Sequence, residues 1–233
     1  MSNKHIAIIG AGMAGLSCAK ALSTVGRSVT VFEKEPAPGG RCSTHESEAG
    51  SFDQGLPSFA AVGADFRAAL AGLARASVVA PDLEAEAEGR WMGTPSMAAL
   101  PRHLATGLEL SMSTEIAACE RQEDGTWSLR GHASQGSAPL ASGFDAVVIA
   151  VPVSQSAPLL GADSALAEAV RGVRSVPGWT VMAAWAMALP IRACRIEGSM
   201  LSYSILESAW RDGAKPGPRR KNGIGCRWVL HAS

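Results

Sequence analysis

Gly10, Gly12 and Gly15 stand in a G-x-G-x-x-G array, Gly10-Ala11-Gly12-Met13-Ala14-Gly15, and Glu33 lies 18 residues beyond the last of them. These residue types at this spacing suit one chemistry, the holding of a dinucleotide pyrophosphate. Gly10 permits a tight turn. Gly12 lets backbone approach the phosphates where any side chain would collide, and Gly15 lets a helix pack closely on a strand. A helix opening here turns free N–H groups and the positive end of its dipole toward the phosphates. Glu33 is placed to accept hydrogen bonds from the adenosine ribose hydroxyls. Its charge repels a 2′-phosphate, so the site should prefer FAD or NAD to NADP. The same glycine pattern also arises in plain structural turns, and only its context separates the two.

That context is a strand–turn–helix–strand unit. His5 to Ile9 is a short isoleucine-rich run that reads as a buried parallel strand. The helix runs from the glycine loop to about Val25, where Gly26 supplies a stop. Val29 to Phe32 is the second strand and ends at Glu33. Pro36 to Ser58 is rich in Gly, Pro and Ser and reads as an ordered loop region. Ala64 to Arg75 reads as a helix with Phe66, Leu70 and Leu73 on one face. Ala80 to Gly89 carries Asp82, Glu84, Glu86 and Glu88 and reads as a solvated face or loop. A helix opens near Pro101. Leu108 to Arg121 reads as strands, Asp124-Gly125 as a hairpin turn, and Thr126 to Leu129 as the returning strand. Phe144 to Val151 is a further buried strand, stopped by Pro152. Asp163 or Ser164 caps a helix carrying Leu166, Val170 and Val173. Thr180 to Leu189 and Cys226 to His231 read as strands, with a loop at Lys215-Pro216-Gly217 between them. The sequence has no internal repeat.

Glu33-Lys34 is followed by Pro38-Gly39-Gly40-Arg41-Cys42-Ser43-Thr44. Two glycines expose backbone there, and Arg41 offers a fixed fork to phosphate oxygens. A strand-end Glu-Lys followed by a Gly-Gly-Arg loop resembles the amine-oxidase-type flavoproteins, in which that loop lies against the FAD pyrophosphate and flavin. Further segments resemble the renalase-like branch of that superfamily. They are Phe52-Asp53-Gln54-Gly55, the run Gly93-Thr94-Pro95 through Met97 and Ala99-Leu100-Pro101-Arg102, Phe144 through Pro152, Lys215-Pro216-Gly217, and Trp228 through Ser233. The resemblance covers essentially the whole chain.

The resemblance implies an α/β fold, with a Rossmann-type FAD-binding domain and a mixed α+β substrate domain. The expected FAD-binding domain is discontinuous, residues 1–60 and 104–156, and residues 61–103 and 157–233 make the substrate domain. FAD is the implied cofactor, held by Gly10, Ala11, Gly12, Met13, Ala14, Gly15, Glu33, Lys34, Gly40 and Arg41. Ile116 would lie in the strand whose backbone meets the adenine. The sequence departs from the family at Leu56-Pro57-Ser58, where relatives carry Ala-Gln-Tyr near the flavin ring. Pro57 brings neither an N–H nor an amide side chain to that place. The family also continues past the position of Ser233. By resemblance, residues 1–233 lack the segment that completes the flavin's cover and the substrate face. Exposed edge strands, poor FAD binding and little turnover are then expected.

Flavin chemistry asks little of side chains. His45 and His103 are acid–base groups by type alone, and no residue is singled out as catalytic. Trp91, Trp179, Trp185, Tyr203 and Trp210 are of a type that either lines an apolar substrate face or fills a core. Three readings stand. One is an FAD-dependent oxidase acting on a small reduced substrate, a dihydronicotinamide or an amine. The second is a flavin-free, nicotinamide-dependent reductase. The third is a non-catalytic remnant.

Composition bounds the partners. Of the 233 residues, 47% are apolar and 18% charged, which fits a globular chain of one or two domains rather than a disordered one. Lys+Arg and Asp+Glu are both 21, so no basic excess draws the chain to nucleic acid or an anionic membrane. Arg219-Arg220-Lys221 reads as a solvated loop beside Gly217-Pro218. A small-molecule substrate is the expected partner, and oligomeric state is left open. The five cysteines, Cys18, Cys42, Cys119, Cys194 and Cys226, include no C-x-x-C pair. A disulfide framework or zinc site is not expected, and a reducing cytoplasm is. Lys4 followed by Ile6 to Leu22 has the outline of a signal peptide, but Gly10, Gly12, Gly15 and Lys20 break it. No apolar run is long enough to span a bilayer.

Overall fold

A computed structural model describes residues 4–82, 89–131, 140–161, 164–187, 201–206 and 226–232. The chain begins β1 (His5–Ile9), α1 (Met13–Thr24), β2 (Ser28–Phe32), a 3-10 turn (Gly40–Cys42), β3 (His45–Ser47) and β4 (Gly50–Phe52). It continues through β5 (Phe59–Ala60), α2 (Ala64–Arg75), β6 (Val79–Pro81), β7 (Arg90–Gly93) and α3 (Ala99–Ala105). Next come β8 (Glu109–Ser111), β9 (Ile116–Arg121), β10 (Trp127–Gly131), β11 (Ala141–Phe144) and β12 (Ala146–Ile149). Last are α4 (Val153–Leu160), α5 (Ala165–Arg171), β13 (Trp179–Trp185), β14 (Leu201–Leu206) and β15 (Cys226–Ala232). Two compact units result, Met1–Gly40 with Pro101–Ser175, and Arg41–Leu100 with Val176–Ser233.

The first unit is built on a parallel sheet of order β12-β1-β2-β8. β1 is buried on both faces from Ile6 on, which is why Ile6 to Ile9 is an apolar run rather than an alternation. Ile6 and Ile8 face α1, where they pack with Leu16, Ala19, Val29 and Val31. Ala7 and Ile9 face the other way, onto Phe32, Ile116, Leu129, Phe144 and Leu159. That second layer is the antiparallel meander β11-β10-β9, closed by α4. The stretch expected as one strand, Phe144 to Val151, is two. Asp145 divides it: its N–H donates to the His5 carbonyl at 2.8 Å, and its Oδ2 accepts from the His5 N–H at 2.7 Å. The chain thereby passes from the meander into the parallel sheet.

The second unit holds three small antiparallel assemblies, the hairpin β3-β4 and the sheets β5-β7-β6 and β13-β15-β14. The hairpin falls in the stretch read as a loop, β6 overlaps the start of the acidic segment, and β5 and β7 fall between the elements expected from sequence. Leu70 is the buried residue of α2, while Phe66 is 38% exposed and touches the Phe59 ring at 5.8 Å. Ser164 caps α5, accepting from the Leu166 N–H. The apolar face expected for α5 is corrected: Leu166 and Val173 are exposed at 63% and 53%, and Ala167 is the buried residue. The expected domain limits, 1–60 and 104–156, differ from the compact units at both ends. Residues 41–60 pack within the second unit, through Leu56 N–H to the Arg41 carbonyl and Met97 N–H to Asp53. α4 and α5 carry the first unit on to Ser175.

Glu84, Glu86, Glu88, Asp163, Cys194, Trp210, Lys215 to Gly217 and Arg219 to Lys221 lie outside the described residues, as does the Tyr203 side chain. Among the described residues no helix is long and apolar enough to cross a membrane.

Two measurements check this fold. Leu129 is fully buried between sheet and meander. Leu129→Ala should cost about 2–5 kcal/mol in urea unfolding; a cost under about 1 kcal/mol would show that the two layers do not pack. At the β9–β10 turn, Asp124 Oδ1 accepts from both the N–H and the hydroxyl of Thr126. These bonds hold the Asp124 carboxyl below its ordinary value, the hydroxyl contributing most. A lowered folded-state pKa stabilises the fold above the unfolded value, and that contribution is lost as pH falls through the folded value. Asp124→Ala should therefore lower Tm at neutral pH, and the gap to wild type should close in acid.

Candidate cofactor-binding site

The glycine loop follows β1 and Glu33 follows β2, and these strands are parallel neighbours. Both groups therefore emerge at the same end of the sheet. β2 and β8 lie to one side of β1 and β12 lies to the other. The end of β1 is thus a topological switch point, where diverging connections leave a crevice beyond the strand ends.

The three glycines of this loop differ in what surrounds them. Gly10 has φ +105°, and a Cβ there would sit 2.9 Å from the Ala150 carbonyl oxygen. Its N–H donates to the Phe32 carbonyl at 2.8 Å, tying the ends of β1 and β2 together. Gly15 lies against the Gly10 carbonyl, and a Cβ there would overlap that oxygen. The fold itself forbids side chains at both positions. Gly12 is different. Its backbone is extended, φ −80° and ψ 179°, and a Cβ there would meet nothing within 4 Å. Among the described residues no atom calls for glycine at this position; open space lies before it. Gly12 is also the N-cap of α1, with no side-chain cap and no acidic residue in the first turn. The N–H groups of that turn have no intrahelical acceptor, and no side chain of the turn itself opposes the positive end of the helix dipole.

Glu33 is 8% exposed. Its Oε2 accepts from the Ala11 N–H at 2.7 Å and its Oε1 from the Glu35 N–H at 3.1 Å. Each carboxylate oxygen keeps capacity for one more donor, such as a ribose hydroxyl. The second glycine loop closes on the first. The Gly39 N–H donates to the Ala11 carbonyl at 3.0 Å, and Gly40, at φ +54°, would bring a Cβ to 3.4 Å from the Gly12 Cα. These groups suit a dinucleotide: space where a pyrophosphate needs it, helix N–H groups, and a buried carboxylate at the strand end.

Gly10 to Gly15, Glu33 and Gly40 are brought together in the first unit. Lys34 follows Glu33 with an exposed side chain. Arg41 opens the second unit, bonded directly to Gly40. Ile116 begins β9, in the meander rather than the parallel sheet, and its side chain is spent in the core. Sequence reasoning missed Ala150, the residue that closes the space beneath Gly10 and Gly15; only the pairing of β12 with β1 gives it that role. Cys42 is buried, and that burial pushes its thiol up, offset in part by the Arg41 guanidinium, so it is a poor nucleophile at neutral pH. His45 and His103 are exposed, on β3 and α3. Trp91 is half-buried in β7, while Trp179 and Trp185 are exposed on β13. Among the described residues no cluster of His, Cys, Asp and Glu could hold a metal ion.

Residues 8–75 match the family described as NAD(P)-binding Rossmann-like domain. The β1–α1–β2 part of that stretch has the Rossmann-like fold. The chain is 54% identical over 44 residues to an L-amino-acid oxidase of Daboia russelii, a match covering 19% of this chain and 9% of the relative. It is 47% identical over 51 residues to a phytoene dehydrogenase of Streptomyces griseus, covering 22% and 10%. Each match spans about a tenth of the relative's length. The whole fold resembles a candidate protoporphyrinogen oxidase from Exiguobacterium sp. 255-15, with a TM-score of 0.72 at 12% identity over 100% of this chain and 77% of that one. It also resembles a putrescine oxidase variant, with a TM-score of 0.62 at 12% identity over 99% and 76%. The fold is therefore α/β and shared with oxidase structures.

The contrast among the glycines is open to test. Gly12→Val should fold with a circular dichroism spectrum and Tm close to wild type, because its side chain enters free space, yet it should lose dinucleotide binding. Gly15→Val should fail to fold. A Gly12→Val protein that keeps wild-type affinity for FAD would remove the pyrophosphate from this space.

Proposed function

We propose that this chain is an FAD-dependent oxidoreductase of the renalase-like branch, passing a hydride from a small reduced substrate, a dihydronicotinamide or an amine, to the flavin. The observation that carries the cofactor is Gly12: an extended N-cap glycine with open space where a Cβ would be, beside a buried strand-end carboxylate. In this reading the first unit binds the dinucleotide and the second serves the substrate. The N–H groups of Gly12 to Gly15 face the pyrophosphate, with Ala11 backbone fixed by Glu33. Glu33 takes the ribose hydroxyls. Gly40 leaves room for the pyrophosphate, and Lys34 and Arg41 contribute positive charge at the phosphates. Ile116 offers its backbone to the adenine. When bound, FAD supplies the hydride-accepting chemistry. The chain's own part is to bind it, orient it and exclude water.

Gly40-Arg41 favours FAD over NAD. A β1–α1–β2 cradle alone would accept either, and the order of segments from Phe52-Asp53-Gln54-Gly55 to Gly93 through Arg102 supports the renalase-like assignment. A reducing cytoplasmic setting fits cysteines that include no C-x-x-C pair.

The purified protein titrated with FAD should show the visible absorption of bound flavin. Glu33→Gln should weaken FAD binding about tenfold, the loss of one charged hydrogen bond. It should also relax the discrimination against 2′-phosphorylated nucleotides. Binding of NAD with no binding of FAD would overturn the flavoprotein reading in favour of a nicotinamide-dependent reductase.

A further inference from the structure

The second unit contains an edge strand without protection. β13 reads Trp-Thr-Val-Met-Ala-Ala-Trp and carries no charge and no proline. Among the described residues it pairs only with β15, which leaves it at the edge of the β13-β15-β14 sheet. That pairing runs through all seven residues without a shift of register, from Trp179 opposite Ala232 to Trp185 opposite Cys226. The other edge is different: β14 shifts its register against β15 between Leu201 and Tyr203. Edge strands are ordinarily blunted by a lysine, a proline or a bulge, because their outward N–H and C=O groups can pair with another chain. β13 has none of the three.

Its side chains are also unusual for a strand facing water. Trp179 is 79% exposed, Val181 51% and Trp185 38%, and Met182 is exposed with them, as are Val176 and Met187 on the flanks. Together these six present on the order of 600 Å² of largely apolar surface. That is at the upper limit of the patches monomers carry, and it approaches the roughly 800 Å² that each partner gives to a stable interface.

The order of residues selects the occupant. Alternation puts Trp179, Val181, Ala183 and Trp185 on one face of the sheet and Thr180, Met182 and Ala184 on the other. Met182 is the middle residue, and the strand is nearly symmetric about it. When a second β13 runs antiparallel with Met182 opposite Met182, each Trp179 meets a Trp185, each Val181 an Ala183 and each Thr180 an Ala184. Aromatic meets aromatic, a β-branched side chain meets alanine, and no like charges are opposed. Such a contact is isologous, every pair occurring twice about a two-fold axis. It is also closed, because the joined sheet ends on a β14 strand at either side.

We propose that this chain forms a symmetric homodimer by antiparallel pairing of β13 with β13 of a second copy, centred on Met182. The proposal is independent of the FAD reading.

The test is oligomeric state combined with cysteine cross-linking. The purified chain should sediment as a dimer at about 100 μM and dissociate on dilution. Met182→Lys sets two like charges on the axis and should give a monomer with an unchanged circular dichroism spectrum. Met182→Cys should form a covalent dimer on mild oxidation, reversed by dithiothreitol, under conditions where wild type forms none. Val181→Cys alone should not cross-link, whereas its mixture with Ala183→Cys should, because those positions face each other across the seam. If Met182→Lys fails to fold, Trp179→Lys, at the most exposed side chain of the strand, takes its place. A wild-type protein that stays monomeric, a dimer that survives the lysine variant, or a dimer in which Met182→Cys does not cross-link would each overturn the proposal.

Discussion

The candidate site depends on how closely α1 comes down onto the end of β1. Position 15 can rest on the Gly10 carbonyl only because it has no side chain. That approach brings the helix N-terminus level with the end of β2, where the Ala11 N–H reaches Glu33 Oε2 at 2.7 Å. A buried carboxylate is costly unless backbone donors offset its lost hydration, and here Ala11 and Glu35 supply two. The Ala11 carbonyl in turn receives the Gly39 N–H. One residue, Ala11, therefore joins the first glycine loop, the strand-end acid and the second glycine loop in one hydrogen-bonded set. Moving the helix outward by the width of a methyl group would break each of these bonds together.

The β1–α1–β2 unit was legible in the sequence because local and tertiary demands coincide there. A strand buried on both faces must be apolar throughout, and His5 to Ile9 nearly is. The helix needs small residues where it meets the strand, and Gly15 and Ala19 supply them. The β9–β10 hairpin was legible for a related reason. Gly125, at φ +83°, and Asp124, bonded to Thr126, are residue types chosen by the turn itself. In these places a few neighbouring residues determine the outcome.

Elsewhere the determining contact is distant. β5, β6 and β7 are two to four residues long, too short for alternation to register, and β5 pairs with β7 across some thirty positions. The β3–β4 hairpin is hidden in a Gly- and Ser-rich stretch, because its strands pair mainly through backbone and His45 to Ser47 are exposed. α5 misled for the opposite reason. Its buried residue is Ala167, while Leu166, which dominates the hydrophobic pattern, faces water. An alanine face lets helices approach closely, but it leaves almost no apolar signal. The division of Phe144 to Val151 turned on Asp145, whose two bonds to His5 span 140 positions.

The same contrast explains why cofactor and substrate are unequally readable. A pyrophosphate cradle is made of backbone, and its sequence signature is the absence of side chains at fixed spacing. Glycine records such a collision directly, so the spacing of Gly10, Gly12 and Gly15 is readable from sequence alone. A substrate face is made of side chains that converge from separate segments. Trp91 on β7 and Trp179 on β13 belong to different sheets of the second unit, and no spacing rule relates positions so far apart. Hydride transfer would add no further signature, because its reactive atoms belong to a cofactor and a protein contributes position and dryness. A chain of this kind therefore records what it holds far more plainly than what it acts upon.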